Sequence, residues 1–392
     1  MRVMIALEDR FLKGPGGNIY SNTICDYEHW KRYLQVFDEV TVLARLGTID
    51  KDLPNKKSAN GPGVTFFPLP YYVGLWQYMR QHYRIKSMMS KAVKQADVFI
   101  LRIPGRIGTL LWHNLMMKGI PYGVEVVGSS RESARTSGAN FLVRGICKLL
   151  KGQKEQCEHA SAALYVTNSY LQKAYPVKCW SISCSNVNLP EEAIISEASL
   201  KQRAKSIGEN RTFRVCHAGT MEVFYKAQDV LIKAASICLQ KGLDLELTLI
   251  GDGRHRNYFE EKARSLGIAK RIFFLGQLPP GQQIRDQFDK ADLFILPSLT
   301  EGQPRVLIEA MARGLPCLGT NVGGIADLLE PEYLIKPGDA EGIAKKISEL
   351  MQDRNRLETM SRRNLEESKK YHTAILNQRR IDFYKKVAEL AT

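Results

Sequence analysis

No apolar run in this 392-residue chain approaches the roughly 18–20 residues that a membrane-spanning helix needs. The opening MRVMIALEDR turns acidic too soon for the apolar core of a secretory signal. The expectation is a protein that stays where it is made, in the cytoplasm. Metal-site spacing is also lacking. The eight cysteines (Cys25, Cys147, Cys157, Cys179, Cys184, Cys216, Cys238 and Cys317) are scattered, with no CxxC pair matched by a second. That argues against a zinc site and for free thiols in a reducing compartment. Strict short-period repeats and low-complexity tracts are missing. So is any RNP-like, zinc-finger or Arg-rich tract that would read bases, which removes the motif support for a nucleic-acid partner.

What is present is material for two packed cores. With 44% hydrophobic and 25% charged residues, the composition is that of a globular protein. The length suits two domains of roughly 150–200 residues each. A net charge of +15 calls for an anionic partner. Residues 1–190 hold 25 Lys and Arg against 13 Asp and Glu, whereas residues 191–392 hold 31 against 28. The first half therefore faces the anion.

Short β-rich runs recur between longer segments of mixed polarity. In the first half they are RVMIALE (2–8), EVTVLA (39–44), VTFFP (64–68), DVFIL (97–101), YGVEVV (122–127) and AALYVT (162–167). In the second they are FRVCHAG (213–219), LELTLIG (245–251), RIFFLG (271–276), DLFILP (292–297) and LPCLGT (315–320). Strands alternating with helical segments predict α/β architecture: two doubly wound, Rossmann-like domains. Turn formers and a proline in SCSNVNLPEEAIIS place the boundary near 187–205. The expected division is 1–190 for the first domain and 200–370 for the second, with a helix near 372–392 returning to the first. Carboxyl ends of parallel strands are where such sheets bind ligands, so both domains are expected to present these ends to one crevice.

The segment PSLTEGQPRVLIEAMARGLPCLGTNVGG, 297–324, follows the strand DLFIL directly. Pro304 and Gly314 bracket a short predicted helix at about 304–313. Its positive amino end would open at the strand tips as an anion site, able to hold a diphosphate without a metal. Glu301 precedes that helix and Glu309 lies on it, too far apart to form one acid pair. Each carboxylate accepts two hydrogen bonds, which suits Glu309 to vicinal ribose hydroxyls and Glu301 to sugar hydroxyls near the reacting carbon. The plain alternative is a favourable helix-start charge and a solvated surface residue.

EGQPRVLIEAMARGLP followed by GTNVGG resembles the Glu-x7-Glu signature of the family 4 retaining glycosyltransferases, especially those of bacterial polysaccharide assembly. HAGTMEVFYKAQDVLIKA is similar to that family's first phosphate loop, LTLIGDGRHRNYFE to its Gly-x-Gly turn and RIFFLGQLP to its base-binding strand end. The likeness is strong over roughly 210–345 and weak before it. It implies the GT-B fold, two Rossmann-like domains facing across a cleft. It also implies transfer of a sugar, with retention, from a UDP- or GDP-sugar to a lipid-linked or oligosaccharide acceptor, without metal or cofactor. Lys226 would then contact the donor diphosphate, Glu309 the ribose and Glu301 the transferred sugar. Gly219, Thr220, Gly251, Gly253, Leu278, Gly302, Gln303, Arg305 and Val306 would line the donor site. Thr220 departs from the pattern, since many members carry Arg there. The first domain lacks the histidine that many relatives carry near the reacting sugar; the matching stretch YGVEVVGSS offers Glu125 instead as a catalytic candidate.

Two further features belong to the first half. KGPGGNIYSN (13–22) places Gly16 and Gly17 at the expected start of a helix, as an acceptor or phosphate loop or a plain turn. Residues 75–94 place Leu75, Met79, Tyr83 and Met88 on one face, with Arg80, Arg84, Lys91 and Lys94 on the other. That is the pattern of an interfacial helix on an anionic membrane, or of a buried face with a basic back. His113, on an apolar helix, reads as a packing residue. Rival functions are a non-hydrolysing nucleotide-sugar 2-epimerase, a basic nucleic-acid-binding protein and an inactive scaffold.

Overall fold

The computed structural model describes every residue except 22, 24, 54, 55, 130–151, 207–211 and 392. Asn22, Ser130, Cys147 and Thr392, which belong to stretches or sets named above, lie outside the described residues. Two compact units are present, Met1–Cys184 with Asn377–Thr392, and Ser185–Leu376.

The first unit contains strands β1 (Arg2–Lys13), β2 (Ile19–Ser21), β3 (Glu39–Thr48), β4 (Val64–Leu69), β5 (Val98–Ile103), β6 (Gly123–Val126), β7 (Ala162–Tyr165) and β8 (Trp180–Ser183). Helices α1 (Tyr27–Leu34), α2 (Gly74–Ala92), α3 (Arg106–Met117), α4 (Gly152–Glu158) and α5 (Tyr170–Ala174) lie between them. Sheet order is β4-β3-β1-β5-β6-β7-β8, parallel throughout, with β2 added antiparallel to the end of β1. Strand order reverses between β1 and β5. Because helices cover both faces, strands such as VFILRI of β5 are buried almost continuously rather than at alternate positions.

The second unit runs α6 (Glu197–Ser206), β9 (Phe213–Ala218), α7 (Gln228–Gln240), β10 (Leu245–Ile250), α8 (Arg256–Ser265), β11 (Ile272–Gly276), α9 (Gln282–Lys290) and β12 (Leu293–Leu296). It continues with α10 (Arg305–Ala312), β13 (Cys317–Thr320), β14 (Leu334–Ile335), α11 (Ala340–Met351) and α12 (Arg354–Lys369). The parallel order β11-β10-β9-β12-β13-β14 reverses between β9 and β12. Leu247, Leu249, Leu293, Ile295, Ile343 and Ile347 are buried in one core, each contributing about 1.5–3 kcal/mol by transfer from water. Asp339 and Asp353 start α11 and α12 by accepting the N–H of Gly342 at 2.8 Å and of Arg356 at 2.9 Å. A last helix, α13 (Thr373–Ala388), places Phe383, Tyr384 and Val387 in the interior of the first unit, while Tyr371 is buried in the second.

The structure corrects two expectations. KGPGGNIY is the turn of a β-hairpin and not the entry to a helix. Leu12 and Lys13 pair with Tyr20 and Ile19, and the first helix begins only at Tyr27. Asp52 closes the turn, accepting the Gly16 N–H at 3.0 Å and the Tyr20 hydroxyl at 3.0 Å. Second, α2 turns a different face inward. Ile85, Met89 and Ala92 are buried and Tyr78 and Met88 pack beside them, a stripe that rotates Met79 and Tyr83 into solvent. The division of the chain falls at Ser185, beside the stretch 187–205.

Among the described residues no helix is long and apolar enough to cross a membrane. Six of the seven described cysteines are buried.

Candidate active site

Doubly wound sheets bind ligands at the carboxyl ends of the strands flanking the reversal of strand order. In the second unit these are β9 and β12. The loop after β9 carries Gly219, Thr220 and Lys226. That after β12 carries Ser298, Glu301, Gly302 and Gln303 and leads into α10. The backbone joins them: Leu299 N–H donates to the Tyr225 carbonyl at 2.8 Å.

Lys226 and Glu301, 75 residues apart in the chain, meet here. Lys226 Nζ lies 2.5 Å from Glu301 Oε1, with the two side chains only 16% and 9% exposed. Ser298 Oγ donates to the same oxygen at 2.7 Å. Lys226 also sits over the Tyr225 ring, 5.5 Å from its centroid. The residue after it, Ala227, is in the left-handed region at φ 55°. That turn, rare for a residue with a side chain, starts α7 immediately behind the lysine.

The glycines of GDG brace the first loop. A Cβ on Gly251 would lie 2.1 Å from the Gly219 carbonyl oxygen, and one on Gly253 would lie 2.3 Å from Glu222 N. Met221 N–H donates to Asp252 O and His255 N–H to Met221 O, at 2.9 and 3.1 Å. Gly251 and Gly253 thus shape the loop by letting backbone approach backbone. Thr220, exposed at the tip, accepts Glu222 N–H on its hydroxyl at 3.2 Å. Its carbonyl accepts the amide of the buried Gln228 at 3.0 Å.

The turn after β13 fixes the glutamate loop in the same way. Gly324 N–H donates to Gly302 O at 2.7 Å. Gly323, at φ +50°, runs so close that a Cβ there would lie 1.7 Å from Glu301 O. Thr320 Oγ1 donates to Ser298 O at 2.5 Å. Both amide atoms of Gln303 are buried without a hydrogen-bond partner, an uncommon state for a native amide.

Pro304 caps α10, with Arg305 and Val306 opening it; Arg305 is exposed and Val306 half-buried. The amino end of the helix gives the loop a positive potential. Glu309 is half-buried one turn on, where burial raises its pKa against the opposing pull of Arg305 and Arg285. Leu278 is half-buried just beyond β11.

Sequence reasoning missed Ser298, Arg285 and His217. His217 lies fully buried on β9, its Nδ1–H donating to the Ile295 carbonyl at 2.9 Å. Nε2 is buried without a partner, beneath Gly219. Burial lowers its pKa to about 4, so the ring is neutral under ordinary conditions. Only the strand register shows this, because a histidine in a β-rich run carries no spacing signal.

In the first unit Glu125 is 2% exposed, on β6. It accepts the Tyr33 hydroxyl at 2.7 Å and that of Tyr384, from α13, at 3.5 Å, with Arg32 at 3.9 Å. A carboxylate enclosed by these groups is an interior anchor of α1 and α13, not an open acid or base. His113 is exposed and tilted against Trp112, 4.7 Å between centroids.

Two doubly wound parallel sheets of this topology are the architecture of the GT-B fold class. The family model described as "Glycosyl transferases group 1" matches residues 212–353. Protein CapJ of Staphylococcus aureus is 30% identical over 369 residues, covering 91% of each chain. The chain belongs to the group 1 glycosyl transferases and is an enzyme of that class. N-acetyl-alpha-D-glucosaminyl L-malate synthase of Bacillus anthracis is 30% identical over 78% of this chain and 79% of its own. Among solved structures, sucrose-phosphate synthase from Thermosynechococcus elongatus shares the fold with a TM-score of 0.68 at 14% identity, over 99% of both chains. Anabaena HepE in complex with UDP-glucose does so with a TM-score of 0.63 at 15% identity, over 97% of this chain and 98% of that one.

Proposed function

We propose that the enzyme transfers a sugar, with retention of configuration, from a UDP- or GDP-sugar to a lipid-linked or oligosaccharide acceptor in the assembly of a cell-surface polysaccharide. The Lys226–Glu301 pair at the β9/β12 switch point carries this reading. It puts a cation for the diphosphate beside a carboxylate for the sugar, next to the amino end of α10. Relatives named for amylovoran and teichuronic acid biosynthesis support the polysaccharide context. The proposed route breaks the bond from C1 to the phosphate oxygen as the acceptor oxygen bonds C1 on the same face. The acceptor proton passes to the departing phosphate oxygen, so no covalent sugar adduct forms on the protein. Neither a metal nor a cofactor is required, because Lys226 and the helix amino end stabilise the leaving charge.

Binding of UDP and of GDP in the presence of EDTA tests the donor site. One nucleotide is expected to bind, and Glu309→Ala to weaken it about tenfold to a hundredfold by removing a charged partner of the ribose hydroxyls. Equal affinity of wild type and variant would remove Glu309 from the site, and no binding of either nucleotide would sink the reading.

The proposed setting is the cytoplasmic face of a membrane, with α2 as the contact. Trp76 and Tyr83 are 79% and 84% exposed and Met79 46%. All three lie on the outward face, with Arg80, Arg84 and Lys86 exposed beside them. Aromatic and sulfur side chains among cations fit the interface of an anionic bilayer. Sedimentation with phosphatidylglycerol vesicles is expected to fall at least tenfold in Trp76→Ser/Tyr83→Ser. Unchanged sedimentation would remove α2 from the contact.

A further inference from the structure

We infer that Glu301 makes the donor site discriminate against its own product, disfavouring the bare nucleoside diphosphate relative to the intact nucleotide-sugar. The inference rests on the donor-site reading above and concerns a different property of it, the ranking of two ligands. Lys226 is already paired. Its ammonium lies 2.5 Å from a carboxylate that is 9% exposed, so any diphosphate reaching Lys226 must share the cation with a fixed negative charge. Between side chains only 16% and 9% exposed, water screens little and that competition is felt strongly.

The geometry separates the two ligands. Lys226 and Ser298 both contact Oε1 of Glu301, and among the described residues no hydrogen bond reaches Oε2. A nucleotide-sugar has its outer phosphate esterified. Its sugar occupies the space between that phosphate and the carboxylate, and its hydroxyls are donors suited to Oε2. A nucleoside diphosphate has no sugar on its outer phosphate to donate to Oε2. Its outer phosphate, freed from the ester, carries up to one more negative charge near neutral pH. It therefore brings more charge toward Glu301 and leaves Oε2 unsatisfied. The same carboxylate that holds the sugar in place expels what is left once the sugar has gone. Ser298 acts as a positioning residue, fixing the carboxylate so that it cannot turn away from the charge.

The test compares Glu301→Gln, which keeps the shape and removes the charge, with Glu301→Asp, which keeps the charge. Dissociation constants are measured by calorimetry for UDP, GDP, UDP-glucose and GDP-mannose, with thermal unfolding as a check on folding. The expected result is that Glu301→Gln binds the preferred nucleoside diphosphate at least tenfold more tightly than wild type, gains less or loses for the nucleotide-sugar, and shows stronger product inhibition. Glu301→Asp is expected not to tighten the diphosphate. Should the glutamine variant fail to fold, Glu301→Ala removes the same charge and is read the same way. Unchanged or weaker diphosphate binding in the charge-removing variant, while wild type still binds the nucleotide and Glu309→Ala loses it, overturns the inference and leaves the donor site standing. Wild type that binds no nucleotide overturns both.

Discussion

Replacing Lys226 by alanine is expected to abolish measurable transfer and to weaken nucleoside diphosphate binding by about a hundredfold or more. A charge-assisted contact to a leaving phosphate is worth several kcal/mol when removed from a preorganised site. The effect also reaches the fold. Without the ammonium, Glu301 keeps only the Ser298 hydroxyl on Oε1, in a position 9% exposed. Breaking a fully buried pair costs about 3–5 kcal/mol. This one is partly open, so a loss of roughly 2 kcal/mol in the second unit is the appropriate expectation. Chemical denaturation would measure it, with Lys226→Ala/Glu301→Gln regaining part of the stability and none of the activity. Stability restored together with activity would mean that the lysine does not touch the donor.

The second large effect is expected at Gly323, which touches no proposed ligand. A methyl group there would lie 1.7 Å from the carbonyl oxygen of Glu301, well inside contact distance, so Gly323→Ala must push one of the two backbones aside. Displacing a reacting group by about 1 Å costs on the order of a hundredfold in rate. The left-handed backbone at φ +50° adds roughly 1–2 kcal/mol of strain for any residue with a side chain. Gly338 separates the two causes. It has φ +81°, and a methyl group there would meet no atom within 4 Å, so Gly338→Ala carries strain without a clash. It is expected to lower stability by about 1 kcal/mol and leave kcat alone. Equal rate losses in both variants would point to general softening of the unit. A loss confined to Gly323→Ala would assign it to the position of Glu301.

Parallel strands covered on both faces must be apolar along their whole length, so the β-rich runs that form the inner strands of both sheets stand out in the sequence. The short edge strands β8 and β14 do not, because the four residues WSIS and the two residues LI are too few to show a period. Pro304 and Gly314 mark the ends of α10 because the ring and the missing side chain act locally, whatever the rest of the chain does. α2 shows the opposite case. Its sequence offers two apolar stripes, Leu75–Tyr78–Ile85–Met89 and Trp76–Met79–Tyr83, and periodicity cannot say which one the sheet covers. The expected helix start at Gly16–Gly17 failed for a related reason. A glycine pair marks a tight turn, but whether the chain continues into a helix or folds back on β1 depends on hydrogen bonds to residues beyond it.

The sequence by itself determined the class of this protein: two doubly wound units, a Glu-x7-Glu segment placed after a strand, and no route through a membrane by an apolar helix. These properties follow from local propensity and from the spacing of residues close together in the chain. Only the tertiary structure decided which distant groups share a site. It brought Lys226 onto Glu301 across 75 residues, enclosed Glu125 between tyrosines from α1 and α13, and turned the aromatic stripe of α2 outward. Contacts of that kind depend on strand order and on the few ångströms that glycines such as Gly323 allow between backbones, and neither is written in any local stretch of the chain.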